Sequence, residues 1–220
     1  MKLIISNGMQ RSGSTWLYNA TRYVLMQFVP EDDFAYGWID DVKNRKKVTL
    51  IKSHFAHTDA LNQADLLLYS YRDIRDVLAS LHRMWGISPT PEHADRLIND
   101  FLTVSPRADY LMKYEEMVQN PLKTIKELID LVKTRLPCIT DKISCDADGV
   151  LSRLKAMTCP TSSNRPYDSE TLLHPNHITS HEPMSFTKLL PENIVRLIET
   201  RHRHWFLAHH YKLTSAPNDK

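Results

Sequence analysis

The chain has 220 residues, of which 42% are hydrophobic and 25% charged, the ordinary proportions of a soluble globular protein. Lys and Arg number 28 against 26 Asp and Glu, a formal net charge of +2 that excludes a cationic coat for nucleic acid or membrane but allows a local anion site. No apolar run approaches the roughly 18 residues of a spanning helix, and Met1-Lys-Leu-Ile-Ile-Ser turns polar too early for a signal peptide.

In chain order, Lys2 to Asn7 reads as a short buried strand built on Leu3-Ile4-Ile5 and ended by Gly8. Thr15 to Phe28 turns helical, with Trp16, Leu17, Ala20, Tyr23, Val24 and Gln27 at three- and four-residue spacings. Pro30 to Trp38, carrying Phe34, Tyr36 and Trp38, reads as an aromatic segment that either lines a pocket or joins the core. A second strand is expected at Val48–Lys52 and a third at Leu66–Tyr71. The latter leads at once into a helix through Trp85, whose stripe is Ile74, Val77, Leu78, Leu81, Met84 and Trp85. A fourth strand, Tyr110–Tyr114, precedes a helix with Asn120 as cap and Pro121 at its first position. Residues 146–157 and 191–208 also read as helices, and Thr158 to Ser185 as irregular.

Strands alternating with helices predict an α/β fold. Right-handed crossovers would give a parallel sheet of four or five strands, covered by helices on both faces, in one domain over residues 1–220. Ligands of such sheets bind beyond the carboxyl ends of the strands. Cys138, Cys145 and Cys159 are odd in number and fit neither metal nor CxxC spacing, which points to reduced thiols and a cytoplasmic protein.

Glycine is scarce, five in all, and Gly8 and Gly13 fall in one short loop. Gly8-Met-Gln-Arg-Ser-Gly13-Ser14-Thr15 has the G-x-x-x-x-G spacing of a phosphate loop, placed between strand and helix as that motif requires. A nucleotide triphosphatase carries Lys after the second Gly and then a Mg²⁺-binding hydroxyl; here Ser14 occupies the Lys position and the nearest cation is Arg11. The loop therefore suits a phosphate ester with no metal. The plainer alternative is a turn in which Ser12 or Ser14 caps the helix.

Three further groups stand at strand ends. Lys52 and His54 lie two apart, on the same side of an extended segment, where a near-neutral imidazole can take a hydroxyl proton and an ammonium can neutralise a leaving oxygen. Arg72 stands at the end of the third strand, with Ser80 two helical turns on, and its planar fork of donors suits a terminal phosphate. Alternatively, Arg72, Asp73, Arg75 and Asp76 form surface ion pairs of little worth. Tyr114 ends the fourth strand, with a flat ring either flanking a purine or packing on the next helix.

Together these blocks resemble the sulfotransferases that use 3′-phosphoadenosine 5′-phosphosulfate (PAPS). Arg11-Ser12-Gly13-Ser14-Thr15-Trp16 is similar to their 5′-phosphosulfate loop, Lys52-Ser53-His54 to their catalytic Lys-Thr-His, Arg72 with Ser80 to their 3′-phosphate pair, and Tyr114-Glu115 through Pro121 to their Tyr-Glu…Pro element. The blocks keep the family's order. The resemblance implies His54 as general base and Lys52 and Arg11 on the bridging and 5′-phosphate oxygens. It further implies donor-binding roles for Ser12, Gly13, Ser14, Thr15, Trp16, Arg72, Ser80 and Tyr114. No metal is implied, and the product is 3′-phosphoadenosine 5′-phosphate (PAP).

In the C-terminal third the family's Arg-Lys-Gly and following glycines are missing, which suggests a small, divergent, microbial form. His174-Pro-Asn-His177-Ile178-Thr179-Ser180 stands in their place, so His177, Ile178 and Ser180 are the candidates there and residues 158–190 the expected donor cover, with Arg165 as a substitute cation. The acceptor implied is a hydroxyl or amine of a small molecule or glycan, with no nucleic acid and no membrane span, and the chain a monomer or homodimer. Two other readings stay open: a small-molecule or nucleotide kinase, and a non-catalytic nucleotide-binding protein.

Overall fold

The computed structural model describes residues 1–140, 144–159, 167–175 and 184–214. The elements run β1 (Lys2–Gly8), α1 (Ser14–Leu25), a 3₁₀ turn (Glu31–Asp33), β2 (Phe34–Trp38), β3 (Val48–Lys52), α2 (Asp59–Asn62), β4 (Leu66–Tyr71) and α3 (Ile74–Trp85). They continue through α4 (Pro91–Val104), β5 (Tyr110–Lys113), α5 (Tyr114–Gln119), α6 (Pro121–Arg135), α7 (Pro137–Thr140) and α8 (Ala147–Ala156). Last come α9 (Phe186–Leu189), α10 (Glu192–Arg201) and α11 (Arg203–Ala208).

The five strands pair in the order β2-β3-β1-β4-β5, every pairing parallel. Their side chains alternate between two cores, as the two-residue period of a strand dictates. Ile4, Leu50, Leu66 and Leu68 pack with Leu17, Val24, Ile125, Leu128 and Val150 of α1, α6 and α8. Leu3, Ile5, Ile51, Leu67 and Tyr69 pack with Val77, Leu81, Leu97, Phe101 and Ile198 of α3, α4 and α10. The expected α/β sheet with helices on both faces is thus the fold observed. Among the described residues no helix is long and apolar enough to cross a membrane.

Four local expectations are corrected. Phe34–Trp38 is an edge strand, pairing in register with Val48–Lys52, so Phe34 is buried core while Trp38 stands level with Lys52. Pro91–Val104, unassigned by pattern, is a helix capped by the Thr90 hydroxyl, which accepts from the His93 amide at 3.2 Å. Strand β5 stops at Lys113, and Tyr114 opens α5 rather than ending a strand, with Glu115 and Glu116 in a first turn that favours carboxylates. The 191–208 helix breaks at His202, and the change of direction lets Trp205 and Phe206 bury themselves against Phe101 and Tyr211.

The ion pairs after β4 are buried, not superficial. Arg75, with 2% of its side chain exposed, pairs with Asp73 at 2.5 Å and with Glu199. It donates to the Lys212 carbonyl at 2.9 Å and lies over the rings of Phe186 and Phe206. Asp76 accepts from the Met184 amide (2.7 Å), the Phe186 amide (3.0 Å) and the Ser185 hydroxyl (3.1 Å). These charges, each with partners as burial demands, fasten residues 184–214 to the start of α3.

Candidate functional site

The loop from Gly8 to Gly13 is shaped by both glycines for different reasons. A Cβ at Gly8 would lie 2.0 Å from the Ser70 Oγ and 2.9 Å from the Ser70 carbonyl oxygen, so the first glycine is required by the close approach of β4. Gly13 sits at φ 79°, and a Cβ there would press on Tyr114 and Met117. The Ser12 hydroxyl donates to the Met9 carbonyl at 2.7 Å and meets the Ser70 hydroxyl at 2.7 Å, which pins the loop to β4. Neither Ser12 nor Ser14 caps α1: its cap residue is Gly13 and no side chain accepts from the first turn. The first-turn amides of Ser14, Thr15 and Trp16 therefore take no side-chain cap, and these residues line the cavity at the positive end of the helix, which favours an anion.

Lys52 and His54 come together at the end of β3. His54 Nδ1 lies 2.6 Å from the Gly8 carbonyl oxygen; a carbonyl only accepts, so Nδ1 carries the hydrogen and Nε2 keeps its lone pair. Burial, the neighbouring Lys52 charge and His174 push His54 down to about 3, leaving the ring neutral. Lys52 is 4% exposed; burial and the Arg11 charge push it down to about 7, and its ammonium lies 5.5 Å from the centre of the Trp38 ring. Asn7 holds this corner, accepting from the Gly8 amide at 2.6 Å and donating to the Phe55 carbonyl at 2.9 Å. Nothing in the motif pattern singled Asn7 out.

Arg11, at φ 61°, turns its side chain to α3. Its Nε donates to Ser80 Oγ at 2.9 Å and its guanidinium lies 5.8 Å from the Trp85 ring centre. Burial, then Arg72 and Arg83, lower its proton affinity. Ser80 is 2% exposed and stands behind Arg11. Arg72 lies 4.1 Å over the Tyr114 ring, 3.6 Å from Asp76, and 3.4 Å from the Arg11 carbonyl. Its Nε is buried with no partner among the described residues, an orphaned donor at the end of β4. The Tyr114 ring is taken up by Arg72 on one side and the Gly13 backbone on another.

These groups line one cavity of about 790 Å³. Arg11, Gly13, Ser14, Thr15, Trp16, Lys52, His54, Arg72 and Tyr114 contribute to it, whereas Ser12 and Ser80 support it from behind. Among its described lining residues, the ionisable cations are Arg11, Lys52, Arg72 and Lys155, and none is a carboxylate. Met117, Leu151, Leu154 and Met157 form an apolar wing beyond Tyr114. Leu172, Leu173 and His174 close it from residues 167–175, which α1 holds by Arg22 donating to the Glu170 carbonyl (2.6 Å) and Asn19 to the Thr171 carbonyl (2.7 Å). Lys155 and Tyr167 escaped the sequence reading because each stands alone in a segment without a motif. His177, Ile178, Ser180 and Arg165 lie outside the described residues. Among the described residues no three His, Cys, Asp or Glu side chains gather as a metal would need.

An organic anion with a flat apolar group fits this cavity: uncapped amides, an orphaned guanidinium nitrogen and cationic side chains with no carboxylate among the described lining residues at one end, an apolar wing at the other. Among solved structures, the chain is similar to a retinol dehydratase in complex with retinol and PAP. The TM-score is 0.53 at 11% identity, with 98% of this chain and 84% of that chain covered. At that identity the likeness is one of fold. No protein-family model matches the sequence, and no curated protein matches it.

Proposed function

We propose that this chain is a sulfotransferase that uses PAPS as donor and a hydroxyl as acceptor. The observation that carries the reading is the meeting, in one cation-lined cavity, of a neutral His54 with its Nε2 lone pair free for a proton and a buried Lys52 beside it. The fold shared with a PAP-binding protein supports it. The donor would supply a sulfuryl group, whose bond to the 5′-phosphate oxygen breaks as one to the acceptor oxygen forms.

The chain's own residues then have separate tasks. His54 Nε2 takes the acceptor's proton, which is worth about 10²–10⁴-fold when the base is positioned. Lys52 faces the negative charge that gathers on the leaving oxygen, and the amides of residues 12–16 hold the phosphate at the helix end. Arg72, with its unused Nε, takes the 3′-phosphate, and Arg11 braced by Ser80 stands between the two phosphates as a fixed charge. A negative ligand here raises the proton affinity of both groups, which restores the Lys52 ammonium and makes the neutral His54 a stronger base.

Isothermal titration with PAP, 5′-AMP and ATP, without metal, tests the reading on the wild type and on Arg72→Ala. PAP should bind at least tenfold tighter than 5′-AMP, and Arg72→Ala should erase that preference. Binding of ATP with Mg²⁺ and none of PAP would overturn it in favour of a kinase.

A further inference from the structure

The half of the cavity beside His54 is walled by rings. Trp38 lies 5.7 Å from the His54 ring, tilted by 52°, and Phe55, 50% exposed, meets Trp38 edge-on at 6.2 Å. Trp85, 51% exposed at the end of α3, faces the cavity beyond Arg11. Tyr167 and His174 pack edge-on at 5.6 Å and complete the wall from residues 167–175, with the Tyr167 hydroxyl donating to Asp41 at 2.8 Å. Trp85 on the cavity and Phe55 against Trp38 leave apolar ring surface exposed, the mark of a surface built to be covered.

Polar groups on this side are few. Gln10 brings the one uncharged amide side chain among the described lining residues, and no lining carboxylate is present. The Trp38 and Trp85 rings already face Lys52 at 5.5 Å and Arg11 at 5.8 Å, so a further cation would meet like charge where it sought a ring. A polyol would bury several hydroxyls with too few partners, at a penalty for each one unpaired. A flat ring carrying one hydroxyl leaves nothing unpaired: its faces take the aromatic wall and its oxygen meets Nε2 of His54.

Resting on the donor reading above, we propose that the acceptor is an aryl hydroxyl of neutral or negative charge, seated between Trp38 and Trp85 with its oxygen at His54 Nε2, and that cationic amines and polyols are excluded. The proton of an aryl hydroxyl is also surrendered more readily than that of an alkyl alcohol, which suits an imidazole whose basicity burial has reduced.

The test is titration of the PAP-loaded protein with three probes: naphthol, naphthylmethylamine (the same flat ring with an ammonium) and methyl glucoside (hydroxyls without a flat ring). Naphthol should bind at least tenfold tighter than either. Trp38→Ala and the exposed Trp85→Ala should each weaken it by about threefold to tenfold, the range of an aromatic pair, with PAP affinity falling less than naphthol affinity. Equal or tighter binding of the amine or the glucoside overturns the acceptor class. So does failure of all three probes, or naphthol binding indifferent to both tryptophans. If PAP itself fails to bind, it is the donor reading that has fallen, and naphthol titration of the PAP-free protein then decides the aryl site by the same tryptophan dependence.

Discussion

Nε of Arg11 donates to Oγ of Ser80 at 2.9 Å, joining two side chains 69 positions apart. The serine is buried behind the arginine, so its service to an anion runs through Arg11. Ser80→Ala should therefore weaken PAP binding by about threefold to tenfold, the worth of one hydrogen bond. In the Arg11→Ala background the same change should cost almost nothing. A titration cycle over the four proteins measures the coupling; additive losses would place Ser80 directly on the ligand.

His54→Gln should lower kcat by about 10²–10⁴-fold while leaving PAP affinity within about twofold, since the phosphates are held elsewhere. Steady-state rates beside titration on the same variant make the comparison. A proportionate loss in both would assign His54 to binding instead.

Lys52 should make stability and anion affinity run in opposite directions with pH. Its folded value near 7 lies below the 10.5 of an unfolded lysine, so between those values the unfolded chain holds a proton the folded one has released. Stability thus rises with pH through that window on account of this residue. PAP affinity should fall over the first part of it, as the ammonium is lost. His54, lowered to about 3 from 6.5, adds a loss of stability as pH falls from 6.5 toward 3. Urea unfolding and PAP titration across pH 6–9 check both trends, and Lys52→Met should flatten both.

Arg75→Met should destabilise the protein by about 3–5 kcal/mol, because Asp73 and Glu199 would be left buried without their cation. That is a large share of the usual 5–15 kcal/mol. Urea midpoints with an unchanged slope would record it as a stability change. A shift below 1 kcal/mol would show that water reaches the two carboxylates.

Much of the sheet was legible because its strands are apolar runs cut off by charge or glycine, as at Gly8, Lys52 and Arg72. The strand β2 was not, since a short edge strand with Gly37 at its centre shows neither clean alternation nor a continuous apolar run. Tyr114 was misplaced by one element: strand and helix abut there without a turn residue to mark the boundary. Of the site, Lys52, His54 and Arg72 could be picked out by their places at strand ends. The depth of Asp73, Arg75 and Asp76 could not, because their partners Glu199, Met184, Ser185 and Phe186 lie over a hundred positions away. A local pattern of alternating charge looks the same whether solvent or another chain segment covers it.

The strand order has a kinetic consequence. Every pairing is parallel, and β1 at the centre must find β3 and β4, with Ile4 opposite Leu50 and Leu66. The cavity draws on the ends of all five strands and on residues 167–175, so no early hairpin or lone helix contains it. Loops of this length close slowly. In a refolding experiment, helical signal should return well before the capacity to bind PAP, which should come back only with the slowest phase.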